Sequence, residues 1–179
     1  MIKPIALVGM MGSGKTTLAV ALAEYYGWPV FDTDSWVEVQ ENKSISEIVE
    51  DDGWDYFRAK ESEFCHIFNV NVHSVIATGG GFLLTESNRL WLLENTLTIY
   101  LHVPPVVAWQ RITSASSFPN NHRPLLEGFS LNEQQEFLIS LYLQRDVLYR
   151  RVHYMLDASA SKEEVLKNLI EIASVSQIK

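Results

Sequence analysis

From end to end the chain alternates between short continuous apolar runs and longer stretches whose apolar positions recur every three or four residues. Continuous runs fit strands buried on both faces, and the longer spacing fits helices with one buried stripe. By this reading IALVG (5–9), WPVFDTD (28–34), SVIATGGG (74–81), LTIYLHV (97–103) and YMLDAS (154–159) are strands. Helices are expected in KTTLAVALAEYYG (15–27), SISEIVEDD (44–52), GWDYFRAKESEFCHIFN (53–69) and TESNRLWLLEN (85–95). VVAWQRI (106–112), NEQQEFLISLYLQRDVLYRRV (132–152) and KEEVLKNLIEIAS (162–174) complete the helical set. Gly27 stops the first helix, and Ser44 with Glu47 three residues later makes a capping box. Strands alternating with helices predict an α/β fold, a three-layer α/β/α sandwich with a central parallel sheet. No repeat or linker divides the 179 residues, so one domain over 1–179 is expected. The irregular stretch TSASSFPNNHRPLLEGFS (113–130) reads as a mobile lid or as a long surface loop, and position alone does not choose between them.

The first strand runs straight into GMMGSGKTT (9–17). Gly9 followed by Gly14, Lys15 and Thr16 fits the phosphate-binding loop pattern, in the strand–loop–helix setting that pattern requires. Gly9, Gly12 and Gly14 let successive backbone amides turn inward, and the helix N-terminus adds partial positive charge. Lys15 supplies a full charge for the β- and γ-phosphates, and the Thr16 hydroxyl is a ligand for Mg²⁺. The anion expected there is a nucleoside triphosphate.

Weaker signals lie at other strand ends. In DTD (32–34), two carboxylates on one strand face would stand roughly 6–7 Å apart, with Thr33 turned away. They would serve Mg²⁺ and an acceptor hydroxyl, or be a pair of solvated acids at a strand end, or Asp34 would cap the next helix. TGGG (78–81) offers amides that no Cβ shields. FRAKE (57–61) sets Glu61 one helical turn from Arg58, where it can orient the guanidinium or form an ordinary surface pair. Arg123 and Arg145 have the planar fork that matches a carboxylate.

Composition narrows the partners. The net charge of -8 argues against nucleic acid and anionic membrane as partners, and leaves room for a small anion held by local positive charge. Cys65 is the single cysteine, which excludes an internal disulfide and fits a reducing compartment. The five histidines lack metal-ligand spacing. The apolar run before Gly9 is too short to span a membrane and has no small-residue cleavage site, so a cytoplasmic location is expected.

Taken in order, GMMGSGKTT, DTD, FRAKE, ATGGG, RPLL and RDVLYRRV resemble the shikimate kinase family over nearly the whole chain. The resemblance implies a P-loop NTPase fold of the nucleoside monophosphate kinase-like type, with a lid near 112–130 and an acceptor-binding region near 34–62. It implies transfer of the γ-phosphoryl of ATP to the 3-hydroxyl of shikimate, with Mg²⁺ as cofactor; a monomer that binds neither nucleic acid nor membrane is expected. Gly12, Ser13, Gly14, Lys15, Thr16 and Thr17 would then bind ATP, Arg111 would pack on adenine, and Arg123 would reach the transferred phosphate. Asp34 would be the base, Arg58 and Arg145 the carboxylate clamp, and Gly79, Gly80 and Gly81 the contacts to the ring hydroxyls. Asp32 would help Thr16 hold Mg²⁺. The lid, ITSASSFPNNH between Arg111 and Arg123, is longer than the family's and lacks its glycines. The remaining alternatives are a same-fold kinase for another hydroxy acid such as gluconate, or a non-catalytic ATP-binding module.

Overall fold

Ile5–Val8 forms β1, the middle strand of a five-stranded sheet, and all four of its residues are buried. The computed structural model describes residues 3–114 and 124–177. Val30–Asp32 (β2), Val75–Ala77 (β3), Leu97–His102 (β4) and Tyr154–Asp157 (β5) complete the sheet in the order β2-β3-β1-β4-β5. Every pairing is parallel, with Ile5 in register with both Val75 and Leu97. The inner strands are apolar on both faces because helices cover both, as the unbroken runs predicted.

The helices are α1 (Lys15–Tyr26), α2 (Thr33–Glu41), α3 (Ile45–Ile67), α4 (Glu86–Asn95), α5 (Pro105–Ser114), α6 (Leu131–Tyr149) and α7 (Lys162–Gln177). Short 3-10 turns cover Phe82–Leu84 and Pro124–Leu126. The main core joins β1, β3 and β4 to Leu18, Leu22, Phe64, Leu138 and Leu169 of the helices. A smaller core of Val37, Ile48 and Phe57 ties α2 to α3. Among the described residues no helix is long and apolar enough to cross a membrane.

Local signals behave as expected at several ends. Gly27 closes α1 at φ 67, and Ser44 and Glu47 make both bonds of their capping box. Gly53, at φ 82 and ψ 170, kinks α3 between its two sequence segments. One element departs from the expectation. DTD does not end a strand: β2 stops at Asp32, whose carboxylate accepts hydrogen bonds from the amides of Asp34 and Ser35 and caps α2. Asp34 therefore sits in a helical first turn, and the cap is Asp32 instead of Asp34. A capped turn satisfies amides that an extended DTD would leave without partners.

Because the strands are parallel, their carboxyl ends share one edge of the sheet. The loop after β1, Asp32, the glycine triplet after β3 and the turn after β5 all gather there, where such sheets bind ligands. Residues 115–123, including Arg123 and about half of the expected lid, lie outside the described residues.

Candidate active site

Residues 9–14 link β1 to α1, and Gly14 caps the helix at φ 88. Gly12 sits at φ +79, and a Cβ there would stand 2.7 Å from the Ala108 carbonyl oxygen. Only glycine lets the loop pass so close to α5. Lys15 folds over the loop, its Nζ donating to the Gly9 and Met10 carbonyls at 2.8 and 3.0 Å. Ser13 is buried beneath it, while Thr16 and Thr17 are exposed at the mouth.

The Thr16 hydroxyl donates to Asp32 Oδ2 at 2.9 Å, and Oδ1 of the same carboxylate takes the α2 amides. A hydroxyl and a carboxylate so paired beside a phosphate loop fit Mg²⁺, which takes one or two protein oxygens and completes its shell with phosphates and water. Among the described residues no larger His, Cys, Asp or Glu cluster competes for a metal.

The glycine triplet packs against four elements, the phosphate loop, α2, α3 and α6. Gly80 lies beside the phosphate loop, since a Cβ on it would meet the Met11 amide nitrogen at 3.7 Å and the Gly9 carbonyl oxygen at 3.9 Å. A Cβ on Gly79 would overlap Asp34 Oδ1 and approach Glu61 Oε1 at 2.6 Å, and one on Gly81 would overlap the Arg58 guanidinium. From α6, Arg145 Nη1 donates to the Gly80 carbonyl at 3.1 Å, and the Tyr149 hydroxyl donates to that oxygen too. At 79 and 81 glycine is needed for space more than for its dihedral freedom. The Gly79 amide donates to Thr33 Oγ1 at 2.8 Å, so it is spent within the protein. Among the described residues no such bond engages the amides of Gly80 and Gly81.

Two cations and two acids meet at this triplet. Arg58 pairs with Glu61, which is fully buried, and its guanidinium lies 5.3 Å from the Trp54 ring centre and 5.2 Å from that of Phe57. Glu61 Oε1 is buried without a hydrogen-bond partner among the described residues. Burial raises the Glu61 carboxyl above its ordinary range, and Arg58 counteracts this. Asp34 is pushed up to about 7, first by burial and then by the charges of Glu61 and Asp32, with Lys15 and Arg58 opposing. Burial lowers the Arg145 guanidinium from its usual value.

The fold thus brings the phosphate loop, Asp32, Asp34, Arg58, residues 79–81 and Arg145 to one place. Arg111 stands on another flank: its Nη2 donates to the carbonyls of Ala158, Ser159 and Ala160, which tethers α5 to the turn after β5. Sequence reasoning missed Tyr149 and the part played by Thr33. Tyr149 carried one readable signal, its place four residues after Arg145 on the same helical face. Thr33 carried none, because its orientation depended on α2.

The shikimate kinase family model matches residues 11–174. The protein named shikimate kinase 2 of Enterobacter sp. (strain 638) is 37% identical over 172 residues, covering 95% of each chain. That of Shigella flexneri is 36% identical over 170 residues, covering 94% of each. Among solved structures, a shikimate kinase from Acinetobacter baumannii in complex with shikimate superimposes with a TM-score of 0.85 at 29% identity, covering 100% of this chain and 97% of that one. A gluconokinase from Sinorhizobium meliloti, at 15% identity and a TM-score of 0.60, covers 98% of this chain and 94% of that one and shares the fold. By sequence motif, matched length and fold together, the chain belongs to the shikimate kinase family.

Proposed function

We infer that the protein transfers the γ-phosphoryl of ATP to the 3-hydroxyl of shikimate, giving shikimate 3-phosphate and ADP. One observation carries this reading: Arg58 of α3 and Arg145 of α6 meet at a glycine triplet that also touches Asp34 and the phosphate loop. Two forked cations from separate helices suit an organic carboxylate, and the nearby glycines leave room for a hydroxylated ring against the backbone.

In this reading residues 12–17 hold the ATP phosphates, and Lys15 swings from the Gly9 and Met10 carbonyls onto the β- and γ-oxygens. Thr16 and Asp32 would hold Mg²⁺. The ion, when bound, neutralises charge on the transferring phosphoryl group. Asp34 in its ionised form takes the proton from the 3-hydroxyl as that oxygen bonds to the γ-phosphorus and the bond to the β–γ bridging oxygen breaks. A carboxyl held near neutrality is suited to that exchange. Arg58 and Arg145 fix the carboxylate, and the ring hydroxyls meet the free amides of the triplet. Arg111 flanks the adenine site and Arg123 reaches the transferred phosphate. The chain works as one domain and as a monomer in the cytoplasm.

The test is ADP release in the presence of Mg²⁺ with shikimate, quinate or gluconate as acceptor. Turnover with shikimate well above the other two is expected. Turnover of gluconate with none of shikimate would overturn the assignment, and ATP binding without transfer to any acceptor would point to a non-catalytic module.

A further inference from the structure

Tyr149 is the last residue of α6 and is 1% exposed. Its ring stacks on Tyr100 with centroids 5.1 Å apart and planes 22° apart. Tyr100 is itself fixed on β4, its hydroxyl donating to Asp146 Oδ1 at 2.8 Å. Burial pushes the Tyr149 hydroxyl up to about 12, so it stays protonated and can only donate to a carbonyl at neutral pH. The carbonyl it meets, that of Gly80, also receives Arg145 from one turn earlier on the same helix. Both lone pairs of that oxygen are thereby filled.

The consequence lies on the other side of the peptide plane. The described chain has no cis peptide, so the Gly81 amide points opposite to the Gly80 carbonyl. Pinning the carbonyl toward α6 aims that N–H away from α6. Two successive glycines would otherwise let this peptide flip at small cost. We propose that Tyr149 is a positioning residue which locks the Gly80–Gly81 peptide, so that the Gly81 amide faces the acceptor. The lock matters most when Arg145 turns to the acceptor's carboxylate, since Tyr149 then holds the carbonyl alone. The inference rests on the kinase reading for its effect on substrate, but the lock itself is a property of the ligand-free protein.

Tyr149→Phe keeps the ring and its stack and removes only the donor. The KM for shikimate should rise about five- to tenfold, the size of one lost hydrogen bond, with kcat, the KM for ATP and the thermal midpoint nearly unchanged. In ¹⁵N-labelled ligand-free protein, the Gly81 amide nitrogen should shift upfield as its preceding carbonyl loses a donor. An unchanged shikimate KM overturns the proposal, as does a parallel rise in both KM values with a lowered midpoint, which would mark Tyr149 as a packing residue only. Tyr149→Leu, which also removes the stack, should add a lower midpoint to the same KM change; an unchanged shikimate KM in that variant also overturns the lock. If the wild-type protein does not turn over shikimate, the functional reading fails, and the Gly81 resonance alone then decides whether the lock exists.

Discussion

Asp34, the base of the proposed reaction, is held in its place at the expense of the resting fold. Its carboxyl titrates at about 7 instead of 3.8, because it is buried and faces Glu61 and Asp32. A carboxyl whose folded-state pKa is raised contributes most below its unfolded value, and that contribution is lost as pH rises through about 7. Asp34→Asn should therefore raise the thermal midpoint of the ligand-free protein at pH 8, with the gain vanishing toward pH 4. Calorimetry across that range checks it, and a difference independent of pH would refute the burial argument. The same substitution should lower kcat by at least about a hundredfold while leaving ATP affinity nearly intact, because it removes a base and no phosphate contact. Arg58 is constrained differently: Glu61 and the Trp54 and Phe57 rings hold its plane. Arg58→Lys puts a point charge where a fork is needed and should raise the shikimate KM by about ten- to a hundredfold, with the ATP KM unaffected. Equal changes in both constants would count against the clamp.

At the scale of elements, two glycines with similar dihedrals should answer differently to a methyl group. A Cβ on Gly12, at φ +79, would stand 2.7 Å from the Ala108 carbonyl oxygen, whereas one on Gly27, at φ +67, would meet nothing within 4 Å among the described residues beyond its chain neighbours. Gly12→Ala must part the phosphate loop from α5, and isothermal titration should show ADP binding at least about tenfold weaker, in line with about 1–3 kcal/mol of local strain. Gly27→Ala only forces alanine into a left-handed cap, a loss of about 1 kcal/mol read as a lower midpoint of a few degrees with kinetics unchanged. Gly27, the Ser44–Glu47 box and the phosphate loop were legible because each is written within a few residues. α2 was not. The helix after Asp32 is only nine residues long and fully buries only Thr33 and Val37, and it forms because Asp32 caps it and α3 packs on it.

For the whole molecule, the net charge of -8 opposes anions in general, so Lys15, Arg58 and Arg145 at the strand ends are the local cations that an anionic ligand would have to meet. Since Mg²⁺ in the proposed reaction would take most of its oxygens from phosphate and water, chelation should abolish turnover but leave the thermal midpoint of the ligand-free protein where it was. A midpoint that falls on chelation would indicate a structural metal instead. The sequence by itself determined the strand–helix alternation, the parallel sheet and the nucleotide loop, because burial periodicity and short-range backbone chemistry specify these locally. It also held the two arginines and the glycine triplet as separate motifs. Only the tertiary structure decided how they meet. Thr33 reaches Gly79 across 46 positions of sequence, Arg145 reaches Gly80 across 65, and Tyr149 reaches the same carbonyl across 69. Such bonds depend on the order in which strands join the sheet and on the helix turn that faces each strand end. Periodicity reports which face is buried, and it does not report which distant residue will be buried against it.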